Sequence, residues 1–194
     1  PGTPWNAASP PSATAPASSG CAATSPTDPG PATPPEPYGP PRLHNGGMML
    51  PPSVRAVVLD GDRLLLFRRT VPGRPRYWSV PGGHVEPGDA TLEHTLHREV
   101  LEELGATVGS VTPLTTLTCH RPDGVKTQHV YGCRLLTIDP ALRCGPEFDD
   151  PARGVYELVR VPLRPEEITA IPLVPPELAA YLATHITRLP RLIA

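Results

Sequence analysis

Residues 82–106 read GGHVEPGDATLEHTLHREVLEELGA, and four of them, Arg98, Glu99, Glu102 and Glu103, have the types and spacing to do chemistry. On a helix Glu99 and Glu103 stand four residues apart and Glu102 three from Glu99, so the three carboxylates share one side. Leu92, Leu96, Val100 and Leu104 form an apolar stripe, and Glu103 falls angularly between Leu92 and Leu96, inside it. Three carboxylates in that place repel one another and lose water, which is costly without a counter-charge. A hard divalent cation such as Mg²⁺ supplies one, because it takes carboxylate oxygens and keeps several waters. The plainer alternative is a solvated charged face with Arg98 and Glu102 as an i,i+4 pair, common on helices and worth little.

The elements that must position these residues can be read on either side. Asp89 is the expected N-cap of the helix and Gly105 its left-handed stop. Gly82 and Gly83 allow a tight turn and a close backbone approach, as a phosphate-bearing ligand or a metal would need. Upstream, residues 54–60 and 63–69 read as strands joined at Gly61-Asp62, residues 70–76 as a loop, and residues 77–80 as a short strand. Downstream, residues 108–119 and 126–139 read as longer strands around a turn at 120–124, and residues 144–154 as an irregular acidic loop. Residues 155–162 form a further strand, 164–170 a short helix or turn, and 176–187 a C-terminal helix with Pro176 in its first turn. This order predicts an α/β (α+β) fold in which helices pack against a mixed β-sheet.

The central stretch resembles the signature of the Nudix hydrolases, G-x5-E-x7-R-E-U-x-E-E-x-G-U with U aliphatic. Gly83 matches the first glycine, and Arg98, Glu99, Val100, Glu102, Glu103, Gly105 and Ala106 match the second half, Ala106 being smaller than usual. Asp89 stands where the family has Glu, and eight residues rather than seven separate it from Arg98. Glu93 keeps the usual distance to Arg98, which places the extra residue between Asp89 and Glu93.

The resemblance implies an α/β/α sandwich over residues 51–194. It also implies hydrolysis of a diphosphate bond in a nucleoside diphosphate linked to another moiety, with Mg²⁺ or Mn²⁺ as cofactor. Glu102 and Glu103 are then metal ligands, Glu99 a ligand or proton acceptor, the Gly83 carbonyl a further oxygen ligand, and Arg98 the residue that orients a glutamate. A carboxylate from a later loop often joins such sites, and Glu147 is the candidate, with Glu157 as runner-up. Arg68 or Arg69 is a candidate phosphate contact. Trp78, with Tyr77, is a candidate stacking platform for a base, a core aromatic being the alternative. His84, His94 and His97 have no zinc-like spacing and are read as bystanders. Two other classes compete: a Nudix-fold nucleotide-binding or regulatory domain without catalysis, and an isomerase on the same fold, which would need a catalytic cysteine that the sequence does not reveal.

Composition bounds the rest. Half of the 30 prolines precede Ser53, among Ala, Ser, Thr and Gly, so residues 1–50 are expected to be a disordered tail. Met48 and Met49 precede the globular part, and the native chain is expected to begin there. A net charge of −2 argues against general nucleic-acid binding, and no run of about eighteen apolar residues suggests a membrane span. Sixteen of the 17 basic residues are arginine. Cys21, Cys119, Cys133 and Cys144 have no C-x-x-C spacing and read as free thiols of a cytoplasmic protein. A nucleoside triphosphate, an oxidised nucleotide, ADP-ribose and a nucleotide sugar all remain open as substrates, and so does the oligomeric state.

Overall fold

A hairpin begins the fold: β1 (Met49–Asp60) and β2 (Arg63–Thr70) meet through Gly61, whose φ of 60° suits a tight reversal. The computed structural model describes residues 48–145, 148 and 150–193; of the tail expected over residues 1–50, residues 1–47 lie outside the described residues, and Met49 and Leu50 belong to β1. β1 starts at Met49 rather than at residue 54. Its two prolines, Pro51 and Pro52, fall where the pairing with β5 (Gly124–Ile138) skips from Leu50 to Ser53. Proline has no N–H to give a ladder, and an irregularity accommodates it.

The other strands are β3 (Tyr77–Ser79), β4 (Ala106–Arg121), β6 (Val155–Pro162) and β7 (Leu173–Val174). They form one seven-stranded sheet in the order β4-β5-β1-β2-β3-β7, with β6 paired along the other edge of β2. β1 with β5 and β3 with β7 run parallel, and the remaining pairs are antiparallel. The sheet is therefore mixed, as expected.

Side chains alternate across a strand, and both faces of the central strands are covered, which is why β1 and β2 read as nearly continuous apolar runs. Val54, Ala56, Val58, Leu65 and Phe67 share one core with Leu96, Val100 and Leu104 of α1 (Leu92–Leu104). Val57, Leu59, Leu64 and Leu66 share the other with Ile168 of α2 (Pro165–Thr169) and with Leu178 and Leu182 of α3 (Pro176–His185). Helices on both faces make the α/β/α sandwich. Among the described residues no helix is long and apolar enough to cross a membrane.

Two element ends differ from expectation. The N-cap of α1 is Thr91, not Asp89: its side chain accepts the His94 N–H at 3.0 Å. The Asp89 carboxylate is drawn instead to Arg98. The C-terminal helix does not stop at 187, but continues as a 3₁₀ turn (Ile186–Arg188) into α4 (Leu189–Leu192). Ile186, Leu189 and Ile193 are fully buried in the second core. Ile193 sits on Gly132, where a Cβ would collide with its side chain. Truncating Ile193 to Ala should thus remove a core anchor with little room to collapse and cost about 2–4 kcal/mol, read as a shift in the urea midpoint at unchanged m.

Candidate active site

The C-terminal half of α1 is held from both sides. Gly105 adopts φ 63° and returns its N–H to the Leu101 carbonyl, and a Cβ there would strike the Asp139 carbonyl, so glycine is required. The segment after β5 then supplies donors to the last carbonyls of the helix. Cys144 and Gly145 give backbone N–H groups to Glu102 O, and Arg143 Nε donates to Glu103 O at 2.7 Å. These contacts fix the axial position of the turn that carries the glutamates.

Arg98 organises the acidic face. Its Nε and Nη2 donate to the two oxygens of Asp89 at 3.1 and 2.9 Å, and Nη1 donates to Glu99 and to Glu102 at 3.0 Å each. Nη2 also meets the His84 carbonyl at 2.9 Å. The Asp89 side chain is only 2% exposed and accepts in addition from Thr95 Oγ1 and the Glu86 N–H. The Arg98 guanidinium is the main reason that the Asp89 carboxyl lies far below the usual carboxylate range. Asp89 in turn raises the Arg98 pKa. The shortened acid and the extra residue before the helix, taken up around Ala90 and Thr91, therefore leave the bidentate pair intact.

The turn at Gly82 and Gly83 meets the other two glutamates. Gly82 N–H donates to Glu103 Oε2 at 2.6 Å, and a Cβ on Gly83 would run into the Glu99 carboxylate. The Gly83 carbonyl accepts the Val54 N–H at 2.9 Å, leaving one lone pair for another partner. Among the described residues no three His, Cys, Asp or Glu side chains are gathered as a ready metal cage; Arg98 spans Glu99 and Glu102 instead. The donor chemistry nevertheless fits a hard divalent cation: carboxylate oxygens on one helical face, beside a cradle that only glycine leaves open.

Other expected residues lie elsewhere. Arg68 pairs with Glu157 across β2 and β6, and this partner lowers the Glu157 pKa. Arg69 lies 3.3 Å over the Tyr156 ring and donates to the Arg153 carbonyl. Trp78 is half-buried against the second core. The contacts of these three residues do not join them to the α1 carboxylates. Glu147 lies outside the described residues. Cys119 and Cys133 are free and buried, and burial pushes the Cys133 thiol up to about 12.

Sequence reasoning missed the strand residues beside the turn. Arg55 Nη1 donates to the Gly82 carbonyl, and Arg55 Nε to Gln128 Oε1 at 3.3 Å. Burial lowers the Arg55 pKa, opposed chiefly by Glu103 and Glu99. Lys126 lies 2.8 Å from His84 Nε2. Burial, then Lys126, depress the His84 pKa. Two signals were available: a charge inside the apolar run of β1, and the single lysine of an arginine-rich chain. Surface cavities lined by Pro113–Thr116 with His129–Tyr131, and by Gly61–Arg63 with Pro162–Arg164, do not include the glutamates.

The NUDIX domain family matches residues 49–184, and the chain belongs to the Nudix family. Solved structures agree in fold. A NUDIX hydrolase from Nitrosomonas europaea is 19% identical with a TM-score of 0.54, over 73% of this chain and 88% of the other. The E. coli ORF135 protein is 24% identical with a TM-score of 0.51, over 74% and 93%. The NUDIX domain of Shewanella oneidensis NrtR, complexed with ADP-ribose, is 20% identical with a TM-score of 0.50, over 72% and 88%. Among curated proteins no sequence match was found.

The two glycines should separate on mutation. Gly82 has φ 128° and its Cβ would meet the Val54 carbonyl, so Gly82→Ala should cost about 1–3 kcal/mol or more in a denaturant titration. Gly83→Ala displaces only the end of a side chain, Glu99, and should lose activity while its melting temperature falls less. Asp89→Asn leaves Arg98 without its main partner and should cost about 3 kcal/mol at pH 7. Because the folded pKa of Asp89 lies below its unfolded value of about 3.9, its contribution is complete above about pH 5 and declines as the pH falls. The deficit of Asp89→Asn, measured by urea unfolding, should therefore be smaller at pH 3 than at pH 7.

Proposed function

We propose that this chain is a divalent-metal-dependent hydrolase that cleaves the diphosphate bond of a nucleoside diphosphate linked to another moiety. The observation that carries the reading is the set of three glutamates on one face of α1, two of them against the Gly82–Gly83 turn and two held by Arg98. Glu102 and Glu103, with Glu99 and the Gly83 carbonyl, are the residues that would hold Mg²⁺ or Mn²⁺. When bound, such an ion neutralises the diphosphate and acidifies a coordinated water.

The chain's own groups do the rest. Arg98 keeps Glu99 and Glu102 in fixed rotamers, and the Gly82 N–H does the same for Glu103. Glu99 is the carboxylate proposed to accept the proton of the attacking water. The water oxygen forms a bond to phosphorus, the bridging P–O bond breaks, and the departing phosphate oxygen carries the electron pair; the water is divided between two products. The free thiols of Cys119 and Cys133 support a reducing, cytoplasmic setting as part of the proposal.

A nucleotide-binding domain without catalysis is the second reading, favoured by Arg98 standing between Glu99 and Glu102. A panel of nucleoside triphosphates, ADP-ribose and nucleotide sugars, assayed with Mg²⁺ or Mn²⁺, separates the two. Glu102→Gln should lower turnover at least about 100-fold with an unchanged melt, since the Glu102 side chain is 31% exposed. Ligand binding by the wild type without turnover on any compound would make the domain a binding module.

A further inference from the structure

Beside the glutamates, one end of the sheet carries polar groups that the hydrolytic machinery does not use. Ser53 and Arg55 are two apart on β1, Lys126 and Gln128 two apart on β5, and Ser53 stands in register with Gln128. Ser53 and Gln128 are fully buried and Lys126 is 3% exposed. Ser53 Oγ and Gln128 Nε2 have no hydrogen-bond partner. Among the described residues no carboxylate lies within ion-pair distance of Lys126, whose polar contact is His84. Burial and the nearby charges of Arg55 and Arg121 push the lysine down to about 8.

A buried cation without a counter-charge costs several kcal/mol, and a buried unpaired amide or hydroxyl adds to it. The missing partner can be deduced from what the groups offer. Lys126, the Gln128 NH₂ and the guanidinium of Arg55 can only donate, and the Gln128 oxygen is already taken by Arg55. The complement is a compact anion rich in acceptor oxygens, which is a phosphoryl group. Its place relative to the glutamates is also set. Arg55 and Glu103 meet the same residue, Gly82, one at the carbonyl and the other at the N–H.

We infer that the Ser53, Arg55, Lys126 and Gln128 floor is a second anion subsite, one that receives a phosphoryl group beyond the diphosphate held at α1. This rests on the hydrolase reading above and makes the substrate class a nucleoside triphosphate. ADP-ribose and nucleotide sugars have no phosphoryl group to place there.

Lys126→Met tests it, because the side chain keeps its bulk and loses its charge. With metal chelated, calorimetry should find that inorganic tripolyphosphate binds the wild type and binds Lys126→Met at least tenfold more weakly. With metal present, KM for nucleoside triphosphates should rise at least tenfold with kcat within threefold, while any turnover of ADP-ribose stays unchanged. The variant should melt at or above the wild type, since a desolvated charge is gone; a purely structural lysine would lower the melt. Gln128→Leu, which leaves Lys126 in place, should weaken tripolyphosphate binding in the same direction and serves if Lys126→Met does not fold. Unchanged tripolyphosphate binding and KM in the variants, or equal losses for triphosphates and ADP-ribose, would overturn the inference with the hydrolase intact. Lysine-dependent tripolyphosphate binding in a wild type that turns over nothing would uphold the subsite and remove the hydrolase.

Discussion

The rest of the site depends on the guanidinium of Arg98 and its two-point bond to Asp89. α1 has to bury Leu96, Val100 and Leu104 while carrying three glutamates on an adjoining face. Like charges so close, and partly withdrawn from water, would splay apart or turn out toward solvent. Arg98 prevents both by spending one nitrogen on Glu99 and Glu102 and the other side of its fork on Asp89. Because the Asp89 side chain is nearly inaccessible, the fork is held by a shielded acid that Thr95 and the Glu86 N–H fix in place.

The Gly82–Gly83 turn carries that order to the sheet. Pro81 and Gly83 give their carbonyls to β1, so the turn is in effect a short edge strand of the sheet. The same turn meets Glu103 with an N–H and faces Glu99 with a backbone that has no side chain. Side-chain carboxylates and sheet are therefore coupled through peptide groups, which cannot rotate away as side chains can.

Polarity is distributed unevenly over the sheet. The α1 face and the α3 half of the opposite face are apolar, whereas the end of that opposite face bears the buried Lys126 and Gln128 and the half-buried Arg55. Such a segment weakens a fold unless something binds there, and proteins keep such weaknesses where function requires them. The acidic helix and the basic floor thus lie on either side of one turn. That arrangement suits a polyanion only when a cation joins it at the acidic side.

Local chemistry made much of this legible in the sequence. The spacing of Arg98, Glu99, Glu102 and Glu103, the glycines on both sides and the period of Leu92, Leu96, Val100 and Leu104 identify the helix, its acidic face and the family, because helical periodicity links residues only three or four apart. The alternation of strands and helices gives the mixed sheet for the same reason. What required the tertiary structure is long-range. Asp89 reads as a cap until Arg98, nine residues on, competes for it, and the pairing of Arg68 with Glu157 appears only when β6 is brought opposite β2. Lys126 and Gln128 look like surface residues of a polar strand, and only the parallel pairing of β5 with β1 sets them beside Ser53 and Arg55, more than seventy positions away. Alternation along a strand fixes which face its residues take, but which distant strand lies beside β1 is decided by the packing of the whole sheet.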